Sequence, residues 1–266
     1  MSYFVWDVSP VIFKVGFLQL RWYGLLFVGS FIVGLYIIKN IFKREGKDPK
    51  PLEDWLIYAL LGAIIGARLA HCFFYEPDYY LNHPLEILYV WKGGLASHGG
   101  MIGAMIVYFL FAKRFKLNYL WFLSRMAIVG VLAGFFIRLG NFFNSEILGK
   151  ATTVPWAVIF KRVDNIPRHP VQLYEAFSYL GIFVILYTIY RKSSYEFSTK
   201  IIPPLFLVLV FGVRFILEFF KVRQADFTLS IPLTMGQVLS IPMVLIGVVW
   251  LILALKNLRR TDVQNS

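Results

Sequence analysis

The sequence predicts an all-α polytopic membrane protein with about seven transmembrane helices. Three observations predict it. Of its 266 residues, 58% are hydrophobic and 18% aromatic, with a mean hydropathy of +0.66, whereas a soluble domain is about half apolar. The apolar residues fall in runs close to the ~20 residues that a helix takes to cross the hydrocarbon of a bilayer. Basic residues gather in every second connection, as cytoplasmic loops do.

The runs lie near residues 19–39, 55–75, 98–113, 119–138, 171–190, 201–220 and 235–255. The third is short, and the fourth contains Arg125 and ends at Arg138. Lys39, Lys43, Arg44, Lys47 and Lys50 surround the first connection; Lys113, Arg114 and Lys116 form the third; Arg191, Lys192 and Lys200 form the fifth; Lys256, Arg259 and Arg260 follow the last run. These connections are expected inside, which puts the N-terminus outside and the C-terminus in the cytoplasm. Residues 145–170 carry Lys150, Lys161, Arg162 and Arg168 yet fall outside; a longer loop with its own structure tolerates that, because the rule is strongest for short loops. The outside segments 76–97 and 145–170 are irregular, with Gly93-Gly94 in one and Thr152-Thr153-Val154-Pro155-Trp156 in the other. No repeat, low-complexity tract or soluble domain interrupts the chain, so residues 1–266 read as a single integral membrane domain.

Composition narrows the function. No basic stretch precedes Asp7 and no small-residue cleavage site follows the first run, so that run is a span and not a signal peptide. The lone Cys72 excludes an internal disulfide and a cysteine metal site. Beside His71 it reads as a packed helix residue and only weakly as a nucleophile. The net charge of +12 raises nucleic-acid binding, but basic cytoplasmic loops meeting anionic lipid account for it better. No histidines and carboxylates fall at a known metal spacing.

Four arginines, Arg68, Arg125, Arg138 and Arg214, lie inside apolar runs. Each costs about 3 kcal/mol at membrane depth unless it faces a partner or a polar cavity. On the predicted topology Arg68, Arg138 and Arg214 lie toward the outside, with Tyr23, His98, Asn141 and Glu218; Arg125 lies toward the inside and reads as structural or snorkelling. Three cations on one side point to an anionic ligand, and the commonest anion in a membrane is a phospholipid head group. Arg138 and Asn141 share a helix face at i, i+3 and offer a guanidinium fork and an amide to one anion; a snorkelling arginine at a polar helix end is the plainer account. His98 opens a Gly-rich helix start, where it either moves a proton near neutral pH or bonds a carbonyl at the interface. Arg214 and Glu218, at i, i+4, make an intrahelical salt bridge, or Glu218 orients Arg214 toward a ligand. Gln172 and Glu175 share a face behind Pro170, for capping and interhelical hydrogen bonds or for catalysis. His71 and His83 read as structural or solvated.

These residues stand in an order that resembles the bacterial phosphatidylglycerol–prolipoprotein diacylglyceryl transferase family. The resemblance runs over nearly the whole chain: Arg21-Trp22-Tyr23-Gly24, Gly66-Ala67-Arg68, His98-Gly99-Gly100, Arg138-Leu139-Gly140-Asn141-Phe142-Phe143-Asn144-Ser145-Glu146 through Gly149, Arg168-His169-Pro170-Val171-Gln172-Leu173-Tyr174-Glu175, and Arg214 to Glu218. It implies a multi-pass enzyme of the bacterial cytoplasmic (inner) membrane. Such an enzyme moves the diacylglyceryl group of phosphatidylglycerol to the lipobox cysteine thiol of a preprolipoprotein, with no metal or organic cofactor and no nucleic-acid partner. A thioether forms and glycerol 1-phosphate leaves, the first step of lipoprotein maturation.

The resemblance also implies roles. Arg138 and Arg214 meet the phosphate, whose charge grows as it leaves. His98 is the candidate base for the thiol, with head-group orientation as its rival role. Asn141 and Glu146 bind the glycerol head or shape the site, with Arg68 and Glu218 in support. Tyr23 hydrogen-bonds substrate or a catalytic side chain, and Gly149 is a position that requires its missing side chain. Two departures stand out: Val210 and Phe211 occupy the stretch where the family often has a tyrosine, and Ser145 stands where a glycine is expected. A transporter or a lipid-binding protein using the same arginines is the alternative, although paired repeats, common in transporters, are missing here.

Overall fold

The computed structural model describes residues 3–16, 18–90, 93–94, 96–222 and 233–264; of Val15, Leu18, Ser97, His98 and residues 261–264 it describes the backbone path alone. The chain forms two compact bodies, residues 39–122 and residues 1–38 with 123–266. Its helices are α1 (Trp22–Arg44), α2 (Pro51–Phe74), α3 (Pro77–Asn82), α4 (Ser97–Arg114), α5 (Tyr119–Asn144), α6 (Val171–Lys192), α7 (Tyr195–Leu217) and α8 (Met235–Gln264). Six of these, α1, α2, α5, α6, α7 with its short extension to Phe220, and α8, are long and apolar enough to cross a membrane. The protein is a mainly helical, polytopic membrane protein.

In the body of residues 39–122, Pro51 occupies the first turn of α2 with Glu53 and Asp54, and Lys113 and Arg114 close α4; both arrangements complement the helix dipole. The two helices pack through bare backbone. A Cβ on Gly66 would stand 2.3 Å from the Gly99 carbonyl oxygen, and one on Gly103 would stand 2.0 Å from that of Gly62. This is the small-residue packing that drives helix association in lipid, where burial of apolar surface gives no advantage. Farther along, Trp55, Tyr108, Phe111 and Phe122 form an aromatic cluster. The predicted third span is α4 itself, of 18 residues; its polar Ser-His-Gly-Gly start and Lys-Arg end make it less apolar than the other six.

The second body adds two small sheets that the hydropathy pattern did not reveal. β1 (Phe4–Trp6) runs parallel to β4 (Val158–Phe160), which pairs antiparallel with β5 (Pro167–Arg168). β2 (Val11–Val15) and β3 (Leu18–Arg21) form a hairpin that leads into α1. The predicted first span, 19–39, therefore starts in a strand, and its helix begins at Trp22. Phe142, Val158 and Phe160 are buried together, with Trp6, Leu148 and Leu173 packed on them. That cluster ties the end of α5 and the start of α6 to the sheet. α7 meets α8 closely, since a Cβ on Gly247 would lie 3.0 Å from the Pro204 carbonyl oxygen.

Candidate active site

Within the larger body the start of α1, the end of α5, the start of α6, the end of α7 and the start of α8 meet at one end, and their polar side chains interlock there. Arg138 is held from two sides: its Nη1 donates to Asn141 Oδ1 at 3.1 Å, and its Nε stands 2.9 Å from Glu175 Oε2. The Nε–H is not aimed at that oxygen, which has no aligned hydrogen-bond donor, so charge rather than a linear hydrogen bond holds the pair. The phenol of buried Tyr179 stands near the Arg138 and Arg214 guanidinium groups. Glu175, fully buried, takes Lys221 Nζ on its other oxygen at 2.8 Å, and Lys221 reaches Glu218 at 3.1 Å. A chain of alternating charge, Arg138–Glu175–Lys221–Glu218, thus crosses from α5 through α6 to the segment after α7.

Asn141 continues the network outward. Its Nδ2 donates to Glu146 Oε2 at 3.2 Å, while Asn144 donates to Glu146 Oε1 at 3.0 Å and Gln172 donates to the Glu146 carbonyl at 2.6 Å. Ser145 and Ile147 take left-handed φ values of 56° and 57°, a conformation costing about 1–2 kcal/mol for a residue with a Cβ. Strain of this kind gathers where surrounding structure overdetermines the backbone. Here the neighbours are explicit: Lys150 N–H donates to the Phe220 carbonyl at 2.7 Å, Val222 N–H to that of Leu148 at 3.0 Å, and His169 N–H to that of Lys150 at 3.1 Å. Segment 148–151 is laced between two others, and Gly149 sits at the tightest point, where a Cβ would stand 2.2 Å from the His169 carbonyl oxygen. Arg168 donates to the Gly149 carbonyl at 3.2 Å and is itself gripped by Asp164 at 2.5 Å. That grip holds the Asp164 carboxyl below its usual range, and burial keeps His169 below the usual imidazole range.

Arg214 is different. It has no ion-pair partner among the described residues, and its Nε is buried without a hydrogen bond. The salt bridge expected with Glu218 does not form, because α7 ends at Leu217 and Glu218 opens a 3-10 turn that aims it at Lys221 instead. Gly236, at the start of α8, makes room for that carboxylate: a Cβ there would stand 2.7 Å from Glu218 Cδ. Tyr23 lies in the first turn of α1 with its ring against Gly140, whose Cβ would stand 2.7 Å from it.

A family model described as prolipoprotein diacylglyceryl transferase matches residues 10–253. A phosphatidylglycerol–prolipoprotein diacylglyceryl transferase of Chloroherpeton thalassium is 48% identical over 96% of this chain and 96% of its own length. A protein of that name from Tolumonas auensis is 45% identical over 96% of this chain and 99% of its own, and one from Bacteroides fragilis is 41% identical over 91% and 92%. The chain belongs to the prolipoprotein diacylglyceryl transferase family.

Two expected diacylglyceryl transferase site residues fall in the other body. Arg68 is buried and already engaged: its Nε donates to the Ile87 carbonyl at 2.9 Å, Nη2 to Glu86 at 2.7 Å, and Nη1 to Gly93 and Gly94 at 2.7 and 3.2 Å, with the Tyr80 ring beneath it. It binds residues 86, 87, 93 and 94 to α2. His98 stands in the first turn of α4, and its side chain lies outside the described residues. Arg125 is buried at the opposite end of α5 from Arg138, with Ser124 and Ser198 and the rings of Tyr190 and Tyr195 around it. The glycine expected at position 145 has a physical reason, since that φ is one glycine adopts freely. Sequence reasoning missed Lys221 and Asn144 and left Glu175 open between capping and catalysis. The signal for Lys221 was its place three residues after Glu218, close to the end of an apolar run.

Proposed function

We propose that this protein, in the bacterial inner membrane, transfers the diacylglyceryl group of phosphatidylglycerol to the lipobox cysteine thiol of a preprolipoprotein. A thioether forms and glycerol 1-phosphate is released. The observation that carries the reading is the polar end of the larger body. Arg138 is fixed there by a carboxylate and an amide, and Arg214 is left without a counter-ion among the described residues. A cation at membrane depth without a protein partner is costly, and an anionic head group relieves that cost.

The reaction breaks a carbon–oxygen bond. The thiol loses its proton to a base, the thiolate sulfur attacks the glyceryl carbon, and the phosphate oxygen leaves with the bonding electrons. Charge builds on that phosphate in the transition state, where preoriented guanidinium groups act most strongly. Arg138 and Arg214 take this role, bidentate recognition suiting the guanidinium better than an ammonium. Asn141 and Glu146 hold the glycerol head, and Glu218 is held back from Arg214 by Lys221. Tyr23, packed on Gly140, supplies a phenol at the mouth of α1, and Gly149 keeps the laced segment in register. Arg68 supports the loop it binds rather than the ligand. His98 is assigned as the base on family resemblance, with head-group orientation as the rival. This end of the bundle faces outside the cytoplasm. The family membership speaks against a transporter or a passive lipid-binding protein.

The test is transfer from labelled phosphatidylglycerol to a lipobox peptide by the purified protein, with Cys and Cys→Ser acceptors and an Arg138→Ala control. Thioether product with the Cys peptide alone, lost in Arg138→Ala, is expected. A folded, lipid-supplied protein that yields no product overturns the assignment.

A further inference from the structure

We propose that Glu175 is a positioning residue for diacylglyceryl transfer, holding Arg138 and Lys221 apart on its two carboxylate oxygens and so fixing the guanidinium presented to the phosphate. The inference rests on the reaction proposed above. Its basis is geometric. Glu175 is fully buried one turn into α6, with Lys221 Nζ 2.8 Å from Oε1 and Arg138 Nε 2.9 Å from Oε2. It therefore links three elements, the end of α5, the start of α6 and the segment after α7. Both cations are themselves largely buried, with side chains 17% and 8% exposed, so neither finds solvent as a substitute partner.

Lys221 has a second carboxylate in Glu218, but for Arg138 Glu175 is the sole carboxylate partner among the described residues. The Arg138 contact is charge-held and off the hydrogen-bond axis, so its geometry depends on the negative charge. The remaining neighbours, Asn141 on Nη1 and the Tyr179 phenol, are neutral and do not replace that charge. Glu175 itself has both oxygens occupied by protein and does not touch substrate; it acts through Arg138.

Glu175→Gln keeps the shape, removes the charge and sets an amide donor against one of the cations. With Arg138 misplaced, an interaction made mainly in the transition state weakens, so kcat falls more than KM rises. About a tenfold or greater loss of kcat is expected, with KM for phosphatidylglycerol changing by less than about threefold. Glu175→Asp separates positioning from mere neutralisation. It keeps the buried negative charge but sets the carboxylate back by one methylene from Arg138, and is expected to retain thermal stability in the micelle while kcat falls. Full parental kcat in Glu175→Asp overturns the inference, because Glu175 would then merely neutralise its neighbours. So does a Glu175→Gln protein with parental kcat. The parent enzyme is assayed in the same preparation: an inactive but folded parent refutes the reaction, whereas an active parent with an equally active Glu175→Gln variant refutes the role of Glu175 alone.

Discussion

Gly149→Ala is the smallest change that the site geometry forbids. The added Cβ would stand 2.2 Å from the His169 carbonyl oxygen, where ordinary contact begins at 3.4 Å, a shortfall of 3.4 − 2.2 = 1.2 Å. The close neighbour is backbone, so no side-chain rotation relieves it. Retreat is blocked as well, since Lys150 and Leu148 are hydrogen-bonded to Phe220 and Val222 on the far side and Arg168 holds the Gly149 carbonyl. The strands must part by about 1 Å, which costs about 1–3 kcal/mol as overpacking. The displacement is carried along the chain to Glu146 on one side and across the ladder to Lys221 on the other. A misplacement of about 1 Å costs about a hundredfold in rate, or about 2.7 kcal/mol of activation free energy. Steady-state transfer to a lipobox peptide, with thermal unfolding of the same detergent-solubilised sample, checks this. The expected result is a fall in kcat of about a hundredfold in a protein that still unfolds cooperatively. Activity within threefold of the parent at an unchanged unfolding temperature would refute the steric argument.

Arg214→Ala removes the cation without a protein counter-ion and is expected to lower kcat by about 10²–10³-fold, with little loss of thermal stability because no described ion pair is broken; a large fall in stability would mean that Arg214 is structural. Gly103→Leu places side-chain atoms where a Cβ already approaches the Gly62 carbonyl oxygen to 2.0 Å, so α2 and α4 separate and the yield of folded protein in the membrane falls, read by size-exclusion profile and protease resistance. Ser145→Gly relieves a φ of 56° and is expected to raise stability by up to about 1 kcal/mol, measured as an upward shift in unfolding temperature with transfer activity retained. Asp164→Asn tests the clasp on Arg168. The carboxyl is held below its usual value, so its contribution is present above the unfolded pKa and is lost as pH falls through the lowered one. The variant is therefore destabilised by at most about 1 kcal/mol at pH 7, and the difference from the parent disappears in thermal melts at a pH below both values.

How far the sequence reaches is visible residue by residue. The spans were legible because twenty apolar residues in a row have few other fates, and Arg138, Asn141 and Glu146 were legible as a group because three and five residues along one helix end keep them together. Glu175 and Lys221 were not, since their meeting depends on how three separate elements converge. The strands at 4–6 and 158–160 escaped for a related reason: each is three residues long, too short for an alternation to register, and their pairing spans most of the chain. The Arg214–Glu218 pair failed on a boundary. An i, i+4 argument holds while the helix continues, and α7 stops one residue before Glu218.

That failed pair separates two arginines that look equivalent in the sequence. Both lie in apolar runs on the same predicted side, and each has a carboxylate within reach along the chain. In the fold Arg138 is tied to Glu175, while the carboxylate nearest Arg214 in sequence is drawn off by Lys221. With Glu146, which Asn141 joins to Arg138, the three cations Arg138, Lys221 and Arg214 stand among three carboxylates, 3 − 3 = 0, so it is the pairing and not the net charge that singles out Arg214 as the cation left for an anion. As the carbon–oxygen bond breaks, the leaving phosphate approaches a second charge, which the thiol proton balances when it travels with the leaving group. Lys221 is thus more than a structural cation: by engaging Glu218 it leaves Arg214 open, and it is the residue that an argument from helical spacing had no means to include.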